Sequence, residues 1–140
     1  MRFVLDTNVI VAALRSPTGA SAALLMAARR GEISMLANVA LALEYEATCR
    51  RAEHGVAAGL SPDEVSIFID ALIGMAEPVE THFLWRPRLR DPADELVLEA
   101  AVNGQAVAIV TFNQRDFGTV PLQFGVEVLS PANALRRIRL

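Results

Sequence analysis

Four carboxylates stand at positions that favour chemistry: Asp6, Glu44, Asp94 and Asp116. Asp6 ends an apolar run, and Glu44 interrupts a mostly apolar helical stretch, where an unpaired charge would be costly. Asp94 falls in the first turn of a predicted helix, and Asp116 follows a predicted strand. Clustered carboxylates repel each other unless a cation holds them together, and oxygen ligands suit Mg²⁺ or Mn²⁺. The four acids together therefore predict a Mg²⁺ or Mn²⁺ site.

Each acid also has a structural interpretation when it is considered alone. Asp6 could cap a helix, although Thr7 or Asn8 could serve the same purpose, which favours a functional role for Asp6. Glu44 could face solvent. The first-turn position of Asp94 is typical of acids that offset the helix dipole, a contribution of about 0.3–1 kcal/mol. Only the set, brought to one place by the fold, favours a metal site.

The elements that must position these acids follow from hydrophobic pattern and turn residues. The predicted strands are 2–6, 33–37, 79–84, 106–111 and 126–129, and the predicted helices are 7–15, 20–30, 38–53, 62–76, 91–103 and a short one from 131. Residues 55–59 are predicted as a loose connection, 86–90 as a basic loop, and 112–117 as a turn or a single helical turn.

Strands that alternate with helices predict one domain, 1–140, with a three-layer α/β/α sandwich around a mainly parallel sheet of four to five strands. Ligands of such sheets bind beyond the carboxyl ends of the strands. Two polar clusters stand there, at 6–8 and at 111–116. The acids should therefore converge at this edge of the sheet.

The composition is that of a globular protein: 140 residues, 53% hydrophobic, with a net charge of −3. Cys49 is the only cysteine, so no disulfide forms within the chain. No apolar run approaches the roughly 20 residues of a transmembrane helix, and an acid at position 6 does not suit a signal peptide. We expect a soluble cytoplasmic protein that does not contact a membrane.

Four segments together resemble the motifs of PIN-domain nucleases. Segment 3–9 (FVLDTNV) resembles the family's opening, in which the aspartate is a metal ligand. Segment 43–46 (LEYE) with the arginines that follow it, and segment 90–101 (RDPADELVLEAA), resemble its second and third acidic segments. Segment 109–117 (IVTFNQRDF) resembles its fourth motif. The match runs nearly end to end and is closest to the branch that contains toxins of bacterial toxin–antitoxin pairs.

The resemblance implies a PIN-like fold and a Mg²⁺- or Mn²⁺-dependent endoribonuclease, which cleaves single-stranded RNA phosphodiesters with a metal-activated water. It implies that Asp6, Glu44 and Asp94 hold the metal. Many members carry an acid where Asn113 stands here, so the fourth ligand is assigned to Asp116, with Asn113 as the alternative. The resemblance also implies a cognate antitoxin protein and a homodimer.

Two further groups of side chains belong to this hypothesis. Five residues are expected to orient the ligands or the water: Thr7, Asn8, Asp91, Thr111 and Asn113. Five arginines are candidates for contacts to the RNA backbone: Arg50, Arg51, Arg88, Arg90 and Arg115. For any single arginine, a solvated surface position is the simpler explanation.

Other functions fit these residues less well. A receiver-type signalling domain requires a lysine, and all thirteen basic residues here are arginine. A haloacid-dehalogenase-type phosphatase requires a second aspartate where Asn8 stands. The remaining alternative is a catalytically weak PIN-like module that binds protein or RNA. The predicted amphipathic helix could present Val65, Phe68, Ile69 and Leu72 to a partner helix, although the same stripe is simpler to explain as core.

Overall fold

Five parallel strands form one sheet in the order β3-β2-β1-β4-β5. The structure is a computed structural model and describes residues 1–82 and 87–139. The strands are β1 Arg2–Leu5, β2 Ser34–Ala37, β3 Glu77–Pro78, β4 Ala108–Val110 and β5 Glu127–Leu129. The α-helices in the described part are α1 Thr7–Arg15, α2 Ala20–Arg29, α3 Val39–Cys49, α4 Ala52–Ala58, α5 Pro62–Met75, α6 Pro92–Asn103, α7 Gln114–Phe117 and α8 Pro131–Ile138. A 3₁₀ helix covers Pro121–Phe124.

The strand order determines how the helices cover the sheet. Crossovers between parallel strands are right-handed in almost all proteins. The connections from β1 to β2 and from β2 to β3 therefore lie on one face, and the return from β3 to β4 lies on the other. The predicted three-layer α/β/α sandwich with a parallel sheet is confirmed.

The change of direction between β1 and β4 creates the switch point of the sheet, where open α/β folds bind ligands. These two strands pair in register, with Leu5 opposite Val110. Asp6 directly follows β1, and Thr111 directly follows β4. The fold therefore places both predicted polar clusters at the same edge.

The core lies between the sheet and its helices. β1 and β4 contribute residues that are buried on both faces of the sheet, as their continuous apolar runs indicate. On α5, the side chains of Val65, Ile69 and Leu72 are buried, and Phe68 packs against them. That stripe is core, and it does not form the exposed partner surface that was the alternative.

The predicted helix 38–53 was wrong in its length, and residues 55–59 are not a loose connection. α3 ends at Cys49, because Arg51 adopts an extended conformation, and α4 begins at Ala52. Gly55 is inside α4, where a Cβ would lie 3.4 Å from the carbonyl oxygen of Leu60. Gly59 in the left-handed region ends the helix.

The third strand was predicted too late in the chain. β3 covers only Glu77–Pro78, paired with Leu36 and Ala37 of β2, and residues 79–82 form no strand. Predicted positions 83 and 84, and Arg86 of the predicted basic loop, lie outside the described residues. A proline is tolerated in a strand at a sheet edge, where its missing N–H costs no ladder hydrogen bond. The apolar pattern of residues 79–84 did not predict this pairing at the edge of the sheet.

No single helix in the described ranges is long and apolar enough to cross a membrane. Only α1 and α2 taken together reach that length and composition, and the pair is bent by 99°.

Candidate functional site

Asp6 joins the sheet to α1 and is buried, with 8% of its surface exposed. Its backbone N–H donates to the carbonyl oxygen of Val110 at 2.8 Å, which continues the pairing of β1 with β4. Oδ1 accepts the backbone N–H of Thr7 at 2.8 Å, so Asp6 itself caps α1. The expectation that Thr7 or Asn8 could cap this helix in place of Asp6 was wrong. Oδ2 accepts the hydroxyl hydrogen of Thr111 at 2.7 Å. The same carboxylate therefore caps α1 and contacts the residue that follows β4.

Tyr45 of α3 fixes the carboxyl end of β1. Its buried hydroxyl donates a hydrogen bond to the carbonyl oxygen of Leu5, the residue before Asp6. Burial and the negative charge of Asp6 raise the pKa of the Tyr45 phenol. Tyr45 is therefore a neutral donor that anchors α3 to the edge where Asp6 stands.

The start of α6 brings a second buried aspartate to this edge. Asp91 caps the helix, since its Oδ1 accepts the backbone N–H of Ala93 at 2.9 Å, and Pro92 occupies the first position. This start was predicted correctly. Asp94 follows in the first turn and is only 8% exposed. Its helix position alone does not explain that burial, because an acid can offset a helix dipole from the surface.

The negative charges around Asp94 act on it together. Burial, followed by the charges of Asp6, Asp91, Asp116 and Glu95, raises the pKa of Asp94 to about 6. Asp6, Asp91, Asp94 and Asp116 form an acidic cluster, in which the charges of the other three act on Asp94. Since the charges of the other three members act on Asp94, the fold has brought together acids from three separate segments.

Several interactions shift the pKa of Asp6 in opposite directions. Burial and the charges of Asp116 and Asp91 raise its pKa, whereas the hydrogen bonds from Thr111 and Thr7 lower it, and the net shift is upward. Within residues 1–82 and 87–139, no arginine or histidine forms an ion pair with the acidic cluster. The charge of the acidic cluster is therefore not balanced by an ion pair with those residues.

Glu44 lies on α3, the helix that follows β2. It lies five residues after the first residue of α3, about 8 Å along the helix axis. It is half-buried, and its Oε1 accepts the hydroxyl hydrogen of Thr48 at 3.3 Å. Its charge is not among those that shift the pKa of Asp6 or Asp94. Its role as a ligand stays a prediction.

The loop after β4 carries the remaining candidates. Thr111 is fully buried, and its Oγ1 accepts the backbone N–H of Asn113 at 2.9 Å. Oδ1 of Asn8 accepts the backbone N–H of Phe112 at 3.5 Å, which ties the loop to α1. Asn113 and Asp116 are both exposed. Of these two residues, Asp116 is the one whose charge acts on the buried Asp6 and Asp94, which favours it over Asn113 as the fourth acid.

Arg50 and Arg51 lie beyond the end of α3, about 16 Å along that helix from the edge where it begins. Arg50 contacts Glu46 at 3.3 Å and Ser66 at 2.8 Å. A depression of about 320 Å³ lies beside these arginines, between α3, α4 and α5. This depression is remote from the acidic cluster, and RNA binding by the two arginines stays a prediction.

The other three arginines lie on segments next to the acidic cluster. Arg88 and Arg90 stand just before α6, and Arg115 is on α7. The guanidinium of Arg88 donates to Oε1 of Gln123 and lies 5.9 Å from the ring centroid of Phe124. Arg90 and Arg115 are exposed. RNA binding by these three arginines also stays a prediction.

Comparison with known proteins decides the family. A family model described as the PIN domain matches residues 2–115. The chain belongs to the PIN-domain family. Members of this family are typically metal-dependent nucleases, which supports a hydrolase in general. No curated protein and no solved structure matches the chain.

The donor chemistry of this PIN domain fits a hard divalent cation. Across the described residues, no group of three or more His, Cys, Asp or Glu side chains is assembled closely enough to hold a metal ion. Mg²⁺ does not require such a cage, because it keeps several waters and is often bound through one or two carboxylates and substrate phosphates. Asp6 and Asp94 supply buried oxygen donors without a counter-charge from the described residues.

Sequence reasoning did not single out Glu95, which follows Asp94 in α6. Glu95 is 8% exposed and accepts the backbone N–H groups of both Arg88 and Leu89. This carboxylate therefore shapes the segment that carries two candidate RNA-binding arginines. The signal in the sequence was its spacing, because Glu95 lies three residues before the buried Leu98, on the apolar face of the PIN domain's α6.

Proposed function

We propose that this PIN domain is a Mg²⁺- or Mn²⁺-dependent endoribonuclease that hydrolyses phosphodiester bonds of single-stranded RNA. One observation carries the proposal. Two buried aspartates, Asp6 and Asp94, stand at the switch point of a parallel sheet with no cationic partner among residues 1–82 and 87–139. Isolated buried carboxylates are unfavourable unless a proton or a cation neutralises them.

In this mechanism Asp6 and Asp94 would hold the cation, with Asp116 and Glu44 as further oxygen donors. Thr7 and Thr111 fix the two oxygens of Asp6 by hydrogen bonds, so the carboxylate is oriented before any ligand arrives. A bound divalent cation supplies Lewis acidity towards phosphate oxygens and an activated water.

The arginines beside the acidic cluster would bind the substrate backbone. Arg88, Arg90 and Arg115 lie on segments that border the cluster, and arginine binds phosphate oxygens through a fixed fork of donors. The net charge of −3 argues against coating by nucleic acid over the whole surface. Local contacts at the acidic edge suit an enzyme that engages a short stretch of RNA.

The decisive test is cleavage of single-stranded RNA in Mg²⁺ or Mn²⁺ by wild type, Asp6→Asn and Asp63→Asn proteins. Asp63 is an exposed first-turn acid of α5 and serves as the matched control. We expect wild type and Asp63→Asn to cleave, EDTA to stop both, and Asp6→Asn to be inert while still folded. Equal cleavage by Asp6→Asn would show that the activity comes from a contaminant or from another site.

Thermal unfolding separates the enzyme from a catalytically weak module. A ligand that binds only the folded state stabilises it by RT ln(1 + [L]/Kd), about 2.7 kcal/mol at a hundred times Kd. We expect Mn²⁺ to raise the melting temperature of wild type and of Asp63→Asn, but much less that of Asp6→Asn. Equal responses of all three proteins, together with no cleavage of several RNAs, favour the binding module.

We further propose that the protein is the toxin of a toxin–antitoxin pair, with a cognate antitoxin and a homodimeric assembly. The support is the resemblance of its four acidic segments and the exposure of Val39 and Leu43, which are 76% and 59% exposed one turn apart on α3. Expression should arrest growth, Asp6→Asn should not, and the product of an adjacent gene should relieve the arrest. Growth unaffected by the wild type would contradict the toxin role, and the molar mass in solution tests the dimer.

A further inference from the structure

Phe112 is an exposed aromatic side chain at the acidic edge. It lies two residues after the end of β4 and is 54% exposed, although the preceding Thr111 is fully buried. Its backbone N–H donates to Asn8, and the hydroxyl of Thr111 donates to Asp6. The backbone of Phe112 is therefore held at a fixed position relative to the acidic cluster, while its ring remains accessible to solvent.

The ring of Phe112 lines two depressions. The first has a volume of about 460 Å³, is formed by residues 112–116 and includes Asp116 of the acidic cluster. The second has a volume of about 270 Å³ and lies between the end of α1 and the starts of α2 and α8. Its lining consists mostly of small side chains, among them Ala12, Gly19, Ala20, Ser21 and Pro131. Phe112 thus separates the acidic edge from an apolar recess.

We propose that Phe112 stacks on a base of the single-stranded RNA substrate, with that base in the recess beside α2 and α8 and the adjoining phosphate towards the acidic cluster. The inference rests on the proposed function for the identity of the substrate. An aromatic ring stacks on the face of any base, so this contact holds a strand without dictating its sequence. It also selects single strands, because the bases of an RNA duplex are already stacked and paired.

The lining of the recess suits a planar, partly polar group. Small side chains leave room for a flat ring to approach the backbone closely. Ser21 is 4% exposed, and its hydroxyl has no hydrogen-bond partner among the described residues. A buried hydroxyl without a partner is unfavourable, and Ser21 is one of three serines, with Ser16 and Ser130, in the lining of the recess. Arg115, in the first depression, is placed to meet the phosphate of the same nucleotide.

The test is binding measured apart from cleavage. Fluorescence anisotropy would follow a labelled oligouridylate, and the same sugar–phosphate chain with abasic residues, in Ca²⁺ so that affinity does not depend on turnover. The proteins would be wild type, Phe112→Ala, Phe112→Tyr and Leu122→Ala. Leu122 is an exposed apolar residue, 60% exposed, in the 3₁₀ helix and serves as the control. Thermal unfolding would establish that each variant is folded.

We expect Phe112→Ala to bind oligouridylate about 5- to 150-fold more weakly than wild type, which corresponds to the loss of one base-stacking contact. Phe112→Tyr and Leu122→Ala should bind like wild type, and all four proteins should bind the abasic chain equally weakly. Equal binding of oligouridylate by Phe112→Ala and wild type overturns the proposal. So does an equal loss on the abasic chain, or no binding of oligouridylate by wild type.

Cleavage assays on the same proteins distinguish this inference from the proposed function. If wild type binds oligouridylate through Phe112 but cleaves no RNA in Mg²⁺ or Mn²⁺, the nuclease proposal fails and the stacking site stands. If wild type cleaves RNA and Phe112→Ala matches it in both affinity and kcat/KM, the nuclease proposal stands and the stacking site is overturned.

Discussion

The hydroxyl of Thr111 donates a hydrogen bond of 2.7 Å to Oδ2 of Asp6, although 105 residues separate them in the chain. The contact joins the carboxyl ends of β1 and β4 and is buried. It leaves the other oxygen of Asp6 to cap α1 through Thr7. The PIN domain therefore orients its first acid with groups from both sides of the switch point, before any cation binds.

Replacement of Thr111 by valine should weaken both the fold and the metal site. Valine keeps the shape of threonine but cannot donate to Asp6 or accept from Asn113. Loss of a hydrogen bond to a charged group lowers the free energy of unfolding by about 1.5–3 kcal/mol. Since this bond lowers the pKa of Asp6, its loss should raise that pKa further and weaken Mn²⁺ binding about 10- to 100-fold. Urea unfolding and Mn²⁺ titration measure the two effects.

Thr111→Ser is the matched control, because serine retains the hydroxyl and loses only a methyl group. It should bind Mn²⁺ nearly as well as wild type, at some cost in packing. Wild-type Mn²⁺ affinity in Thr111→Val would show that this hydrogen bond does not support the metal site.

The raised pKa of Asp94 predicts a specific pH dependence in metal-free protein. Its pKa is about 6 in the folded state and near 3.8 in the unfolded chain. Between these values the folded state binds more protons, so this group's contribution to stability falls as pH rises from about 4 to about 6. In EDTA, the stability of Asp94→Asn relative to wild type should therefore increase over that range and change little at higher pH.

Asp63→Asn controls for the loss of a first-turn carboxylate without a buried cluster. Its stability relative to wild type should show no comparable increase between pH 4 and 6 in chemical denaturation at each pH. Addition of Mn²⁺ at pH 7 should shift the difference in stability in favour of wild type, since wild type gains stability and Asp94→Asn gains less. If the difference in stability between Asp94→Asn and wild type does not change with pH, the raised pKa of Asp94 is contradicted.

Local signals explain how much of the fold could be predicted. The capping box of Ser61 and Glu64 and the Asp91–Pro92 start are short-range chemistry, and α5 and α6 begin where these residues predicted. The division of α3 from α4 follows from the extended conformation of Arg51. The edge strand β3 forms by pairing with β2, which comes from a distant segment of the chain. The hydrophobic pattern alone therefore predicted neither the division of the helices nor this edge strand.

The part of the site that could be predicted from the sequence is the part that the order of strands and helices determines. Asp6 directly follows β1, and Asp94 lies in the first turn of the helix that leads back to β4, so the topology placed both at the carboxyl edge of the sheet. The distance of Glu44 from them depends on how α3 packs, which its sequence does not specify. The burial of Glu95 and the exposure of Phe112 are likewise tertiary properties, since an acid in a first turn and an aromatic after a strand are compatible with either outcome.

Glu95 should support the segment before α6 rather than the cation. Its carboxylate accepts two backbone N–H groups, from Arg88 and Leu89. Glu95→Gln keeps the shape but weakens both charge-assisted bonds, so we expect the free energy of unfolding to fall by about 1–3 kcal/mol. Relief of repulsion on Asp94 should offset part of that loss.

RNA affinity reports the effect of Glu95→Gln on the arginines of this segment. We expect weaker binding of single-stranded RNA with an unchanged response to Mn²⁺. Glu80→Gln, at a side chain that is 85% exposed, should change neither stability nor binding. A large loss of Mn²⁺ affinity in Glu95→Gln would instead place Glu95 among the metal ligands.

Glu44 is a predicted metal ligand whose charge is not among those that shift the pKa of Asp6 or Asp94. If it donates to the cation of the PIN domain, Glu44→Gln should lower RNA cleavage at least about 10-fold and reduce stabilisation by Mn²⁺. Glu46→Gln is the matched control, because Glu46 lies on the same helix and forms an ion pair with Arg50 at 3.3 Å. Exposed pairs contribute about 0–1 kcal/mol, so Glu46→Gln should retain activity. If Glu44→Gln matches Glu46→Gln in both measurements, Glu44 is a helix-surface residue bonded to Thr48, and Asp6, Asp94 and Asp116 suffice to hold the cation.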